Sequence, residues 1–194
     1  MRVKELRMCW LMSLKDRIRN FVRGGVTPEQ VEKEFLIKNG LKLGRNVRNY
    51  SPYGIDSEWP WLISIGDNTI ISTNVKILAH DASTGFLGLG TKVGRVDIGK
   101  NCFIGSGTIV LCDTEIGDNV IVGAGSVVTK DLKSDCVYAG NPAKLICTID
   151  ELKGRHKNSG IVFDQHRWNE WINASVDDKE YMYNECKKSH GYVK

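Results

Sequence analysis

The sequence predicts an all-β core wound as a parallel β-helix, with helical segments at both ends. Three observations carry this. An aliphatic residue recurs at every sixth position through Ile98, Ile104, Val110, Ile116, Val122 and Val128, and upstream through Ile65, Ile71 and Ile77. The fifth place of these hexads holds a small or β-branched residue, as at Thr69, Val75, Cys102, Thr108, Thr114, Val120 and Ser126. Glycine often follows the aliphatic residue, at Gly66, Gly99, Gly105, Gly117 and Gly123. A fixed short period means that one unit is being stacked. Six is not a helical period, and β-branched residues so spaced suit short strands. Three strand-and-bend units close a triangular coil of about 18 residues, and successive coils pair in parallel at ~4.8 Å. A β-sandwich would need period-two alternation and antiparallel turn signals, which this stretch lacks.

Residues 1–40 read as a helical cap. Leu6, Trp10, Leu14, Ile18 and Phe21 share one helical face, Gly24-Gly25 ends that helix, and Thr27-Pro28-Glu29-Gln30 marks a new N-terminus with proline at the first helical position. Basic residues line the other faces of the first helix, which allows a membrane-surface reading. The favoured reading is a cap, because an uncovered coil stack exposes apolar side chains and unpaired strand edges. Residues 41–148 form the coil stack. Between Ile77 and Ile98 the count overruns one hexad by fifteen residues, so about 83–97 must leave the coil as a glycine-rich, partly apolar loop. A loop that interrupts a strict repeat is a candidate for function. A second overrun between Ile55 and Ile65 brings in Asp56, Glu58, Trp59 and Trp61. Residues 149–194 form a charged, aromatic-spotted tail of one or two helices.

Net charge is +4 and 26% of residues are charged, which excludes the strongly basic profile of a nucleic-acid binder. Six cysteines form no CxxC pair and no zinc spacing. The apolar run Met8–Leu14 is too short for a signal peptide, and no segment reaches the ~20 apolar residues that span a bilayer. A cytoplasmic chain without a metal is the expectation.

Of four histidines, His80 abuts the loop in Ile77-Leu-Ala-His-Asp-Ala-Ser83. An imidazole at the rim of a coil is placed to act as a general base near neutral pH. Asp81 is positioned to orient it, although neighbours on a strand point to opposite faces.

The stretch Ile98–Lys130, followed by Ala139-Gly140-Asn141-Pro142-Ala143-Lys144, resembles the hexapeptide-repeat acyltransferases, and Pro60–Asn68 with Ile77–Asp81 resembles the branch found among polysaccharide-synthesis enzymes. The resemblance covers over half the chain. It implies a left-handed coil, against the usual right-handed crossover. It also implies acetyl-CoA as co-substrate, a sugar hydroxyl as acceptor, and a homotrimer with sites between subunits. His80 matches the family's essential base. Ser106 and Ala124, one 18-residue coil apart, match the pantetheine edge, with Thr129 and Lys130 following on it and Lys144 near the nucleotide phosphates. Asp56 aligns loosely with an acidic acceptor-side residue that binds hydroxyls or holds the histidine. Asn49 stands nearest to an asparagine that assists some relatives, and Phe103 stands where many carry tryptophan. The backbone N–H of Ser106 is the candidate oxyanion donor. Competing readings are an N-acyltransferase on a sugar nucleotide, a non-catalytic β-helix module, and a β-helical zinc enzyme, which would need three histidines on stacked coils.

Overall fold

The computed structural model describes residues 27–157, 159–163 and 174–193. The helix expected before Gly24, and Trp168 and Trp171 of the tail, lie outside the described residues. Contacts divide the chain into two units, Met1–Ile149 and Asp150–Lys194.

The first unit is a left-handed parallel β-helix with three flat walls. Wall one stacks Lys42–Leu43, Ile63–Ile65, Val96–Ile98 and Thr114–Ile116; wall two stacks Arg48–Asn49, Ile70–Ile71, Phe103–Ile104, Ile121–Val122 and Cys136–Ala139; wall three stacks Lys76–Ile77, Ile109–Val110 and Val127–Val128. All these neighbours pair in parallel. The register gives the length of each coil directly. Lys42 faces Ser64, Ser64 faces Asp97, and Asp97 faces Glu115, so successive coils take 22, 33 and 18 residues. The two long coils exceed 18 by four and fifteen, the two overruns visible in the sequence.

Each of the nine hexad aliphatics from Ile65 to Val128 is at most 2% exposed, which places the period-six residues inside the prism. The fifth-place residues are buried as well, and their hydroxyls are satisfied by carbonyls at the corners: Thr69 Oγ1 donates to Gly99 O at 2.8 Å, and Ser126 Oγ to Gly123 O at 2.6 Å. A buried hydroxyl so paired avoids its desolvation cost. Gly99 is required by close approach: a Cβ there would lie 2.6 Å from the Gly117 carbonyl carbon of the next coil.

The corner between walls one and two carries an asparagine ladder. Asn46, Asn68, Asn101 and Asn119 all have φ between 55° and 59°, as does Asp135. Each side-chain amide donates to the next coil's oxygen, at 3.2, 3.3, 3.1 and 2.9 Å, ending on the Asp135 carboxylate. Asparagine tolerates the left-handed region better than most side chains. The recurring Gly-X-Asn triplets at Gly44, Gly66, Gly99 and Gly117 were its signal in the sequence.

Helix α1, Pro28–Lys38, begins with a capping box in which Thr27 and Gln30 bond reciprocally. It contributes Leu36 to the same buried cluster as Leu41, Ile55 and Ile71 of the first coils. At the other end Cys136–Ala139 turns back antiparallel against Lys144–Thr148 and so covers the last strand edge.

The second unit holds α2, which runs Ile149–His156 across the division, and α3, Val176–Cys186. It also holds a parallel pair, Ile161–Phe163 with Gly191–Val193, that the sequence did not foresee. Phe163 is buried against the edge of Tyr181. No helix among the described residues is long and apolar enough to cross a membrane.

Candidate active site

Wall three delivers the site. Ile77 and Ala79 point inward and are fully buried, so the chain reaches the next corner with His80 turning outward. There it leaves the coil. His80–Asp81 pairs antiparallel with Lys92–Val93, and between them lies a 3-10 turn, Ala82–Leu87. The excursion is therefore 80–93 rather than 83–97. Val96 is fully buried and Val96–Ile98 is already wall one, because the inward aliphatic places resume two residues before Ile98.

Asp56 lies at the same corner one coil earlier, since Ile55 bridges Ile77. Its side chain is 2% exposed and its carboxylate accepts three bonds: from His80 Nδ1, from the Ala79 N–H at 3.0 Å and from the Glu58 N–H at 3.0 Å. A carboxylate in this state is acceptor-only, so Nδ1 of the neutral ring carries the hydrogen and Nε2 keeps its lone pair. The imidazole is 27% exposed. A ring fixed from behind with a basic nitrogen facing out is equipped to take a proton from a bound hydroxyl.

Asp81 does not orient the ring. Its carboxylate accepts the Ser83 N–H at 2.8 Å and caps the 3-10 turn, and the Ser83 hydroxyl and amide hold it below the usual carboxylate range. Strand alternation turns it away from His80. Asn49 is not brought to the site either. It lies on wall two, and its Oδ1 accepts the Ser51 N–H at 2.9 Å in a local turn.

Ser106 and Ala124 do stack, at the corner between walls two and three, where the Gly125 N–H donates to Ser106 O at 2.8 Å. Ser106 Oγ also meets Ser72 Oγ at 2.7 Å and Thr73 Oγ1 at 3.1 Å. The sequence reading missed these two, although the 33-residue coil places Thr73 directly before Ser106. Gly107 and Gly125 have φ of 71° and 68°, and a Cβ at Gly125 would meet nothing within 4 Å. This corner is thus a ledge of small residues and bare backbone, a surface that suits a narrow, amide-bearing chain such as pantetheine.

Thr129 and Lys130 lie on a different corner. The strand Val127–Val128 carries the chain across wall three, roughly 16 Å at ~3.3 Å per residue, before Thr129 is reached. They therefore share the corner of His80, two coils further along, rather than the ledge of Ala124. Lys144 starts the antiparallel closing strand with its side chain exposed. Phe103 is 42% exposed on wall two.

A family described as "bacterial transferase hexapeptide (six repeats)" matches residues 95–130. CapG of Staphylococcus aureus is 32% identical over 167 residues, covering 82% of this chain and 91% of CapG. The chain belongs to the hexapeptide-repeat transferases. YvoF of Bacillus subtilis (strain 168), whose name is that of a candidate acetyltransferase, is 39% identical over 104 residues; that match takes in 54% of this chain and only 58% of YvoF. A crystal structure of a hexapeptide-repeat acetyltransferase of Vibrio cholerae, complexed with acetyl-coenzyme A, superposes with a TM-score of 0.50 at 21% identity, covering 56% of this chain and 60% of that one. That likeness bears on the fold. The four-residue and fifteen-residue overruns fall at the corner that bears His80, as does a two-residue shortening of the last coil, in which Ile116 bridges Leu132.

Proposed function

We propose that the protein is an acetyl-CoA-dependent O-acetyltransferase acting on a hydroxyl of a sugar or polysaccharide precursor, with His80 as general base. The observation that carries this is the buried Asp56 carboxylate bonded to His80 Nδ1, which leaves Nε2 the free basic nitrogen at the mouth of the excursion. His80 Nε2 removes the proton from the acceptor hydroxyl as its oxygen bonds to the acyl carbon, and returns that proton to the departing sulfur. Asp56 is the positioning residue, holding the ring and stabilising the imidazolium that forms in between. Acetyl-CoA supplies the activated acyl group as a thioester. Ser106 and Ala124 line the ledge for its pantetheine arm, while Thr129, Lys130 and Lys144 face its phosphates, where fixed cations are favourable.

The ledge and His80 sit on different corners of one chain, which supports a homotrimer in which His80 of one subunit meets the ledge of the next. The Ser106 N–H is then the oxyanion donor across that interface.

The test is product identification. Incubated with acetyl-CoA and a panel of methyl glycosides, the protein should release free thiol and yield a base-labile ester on the sugar. His80→Ala should lower turnover by about 10²–10⁴-fold. A base-stable amide on an amino sugar would reassign the reaction to N-acylation, and equal turnover by His80→Ala would remove the base.

A further inference from the structure

The six-residue segment Ser57–Leu62, which carries the four-residue overrun, lies on the His80 corner one coil before the excursion. The order along that corner is this insertion, then His80, then Cys112–Asp113, then Thr129–Lys130. The cationic residue assigned to the donor is thus on one side of His80 and the insertion is on the other. The insertion is tied to the site, because the Glu58 N–H bonds to the carboxylate that holds His80. The Glu58 side chain is exposed and, among the described residues, makes no hydrogen bond or ion pair. Trp61 is 52% exposed, yet its position is fixed: it meets Trp59 edge-on at 5.5 Å between ring centroids, and a Cβ on Gly40 would lie 2.8 Å from Trp61 Cβ. The Trp59 indole N–H is buried and, among the described residues, has no partner, which is uncommon for a donor in that position.

We propose that this insertion is the acceptor-binding wall, with the exposed Trp61 ring stacking on the apolar face of a pyranose and Glu58 accepting its hydroxyls. This rests on the acetyltransferase reading above and assigns the residues that hold the acceptor at that same site. A rigid, half-exposed indole offers a large flat surface at low entropic cost. A carboxylate beside it repels the phosphates of the donor and accepts from several hydroxyls at once. Both features select a ring-shaped polyol over a phosphorylated or purely aliphatic acceptor.

The experiment is steady-state kinetics with methyl β-D-glucoside, methyl β-D-galactoside, N-acetylglucosamine and L-serine as acceptors, on wild type, Trp61→Ala, Trp61→Phe and Glu58→Gln. Trp61→Ala should raise the KM for the active glycosides about tenfold or more with kcat little changed. Trp61→Phe should retain most of the affinity, and the KM for acetyl-CoA should not move in any variant. Thermal melts separate a misfolded Trp61→Ala from a folded one, and Trp61→Phe with Glu58→Gln then carry the comparison. The proposal is overturned if acceptor KM is unchanged in all three, if the acetyl-CoA KM rises instead (the ring stacking on adenine), or if Trp61→Ala lowers the sedimentation mass (the ring meeting another copy). A wild type that acylates L-serine and no glycoside also overturns it while leaving acetyl transfer intact. A wild type that consumes no thioester with any acceptor removes the reading on which it rests.

Discussion

Asp56 and His80 show how a residue can be legible as a type and illegible as a partner. His80 stood out because it is the only histidine in the repeat and abuts the break in the count. Asp81 was next to it in sequence and was expected to orient it, but adjacency on a strand separates side chains. The residue that does so lies in the preceding coil, and pairing across coils is visible only once each coil's length is known. The same arithmetic explains Thr129: five residues after Ala124 read as a continuation of one edge, whereas an intervening strand moves the chain across a wall. Two predictions belong at this scale. Asp56→Asn should lower kcat at least about tenfold by removing the charge that stabilises the imidazolium, and Asp56→Ala should in addition release the ring and strand the buried Ala79 N–H at a cost of about 1–3 kcal/mol, read as a drop in melting temperature. Cys102 is 2% exposed and burial pushes its thiol up, so it stays protonated. In the native protein iodoacetamide should alkylate the exposed Cys186 and spare Cys102; early labelling of Cys102 by peptide mass mapping would show that the prism opens.

The element that the hexads determined is the strand; what they left unstated is the corner. The nine hexad aliphatics from Ile65 to Val128 were legible because burial requires an aliphatic residue there, whereas Val96, equally buried, fell outside the count and was read into the loop. The ladder from Asn46 to Asp135 left only its Gly-X-Asn triplets in the sequence, since its pairing depends on which coil lies over which. Asn101 is its middle rung. Asn101→Gly keeps the left-handed backbone and loses only the side-chain bonds, whereas Asn101→Ala adds a left-handed penalty of about 1–2 kcal/mol. Asn101→Ala should therefore melt lower than Asn101→Gly, by about 2–4 °C per kcal/mol for a unit of this size. The Arg45 guanidinium, bonded to Asp67 at 2.8 Å on the neighbouring rung, holds that carboxyl below its usual range. A depressed carboxyl adds stability above its unfolded pKa near 3.9 and loses it as pH falls further. Asp67→Asn should accordingly narrow the gap between wild-type and variant melting temperatures below about pH 4.

At the scale of the molecule, the proposed reaction is divided among the corners of the coil stack. One corner presents the insertion, His80 and Lys130 in sequence along the axis; another presents the bare ledge of Ser106 and Ala124. A wall separates them within one chain, so the proposed site takes residues from two chains. The most direct measurement mixes two variants that are each inactive, His80→Ala and Ala124→Trp, the second filling the ledge of its own chain. Co-refolded mixtures should regain acetyl-CoA turnover, because some interfaces then combine an intact His80 with an intact ledge. Substantial turnover by His80→Ala alone, or no recovery in mixtures shown by sedimentation to contain both chains, would contradict it.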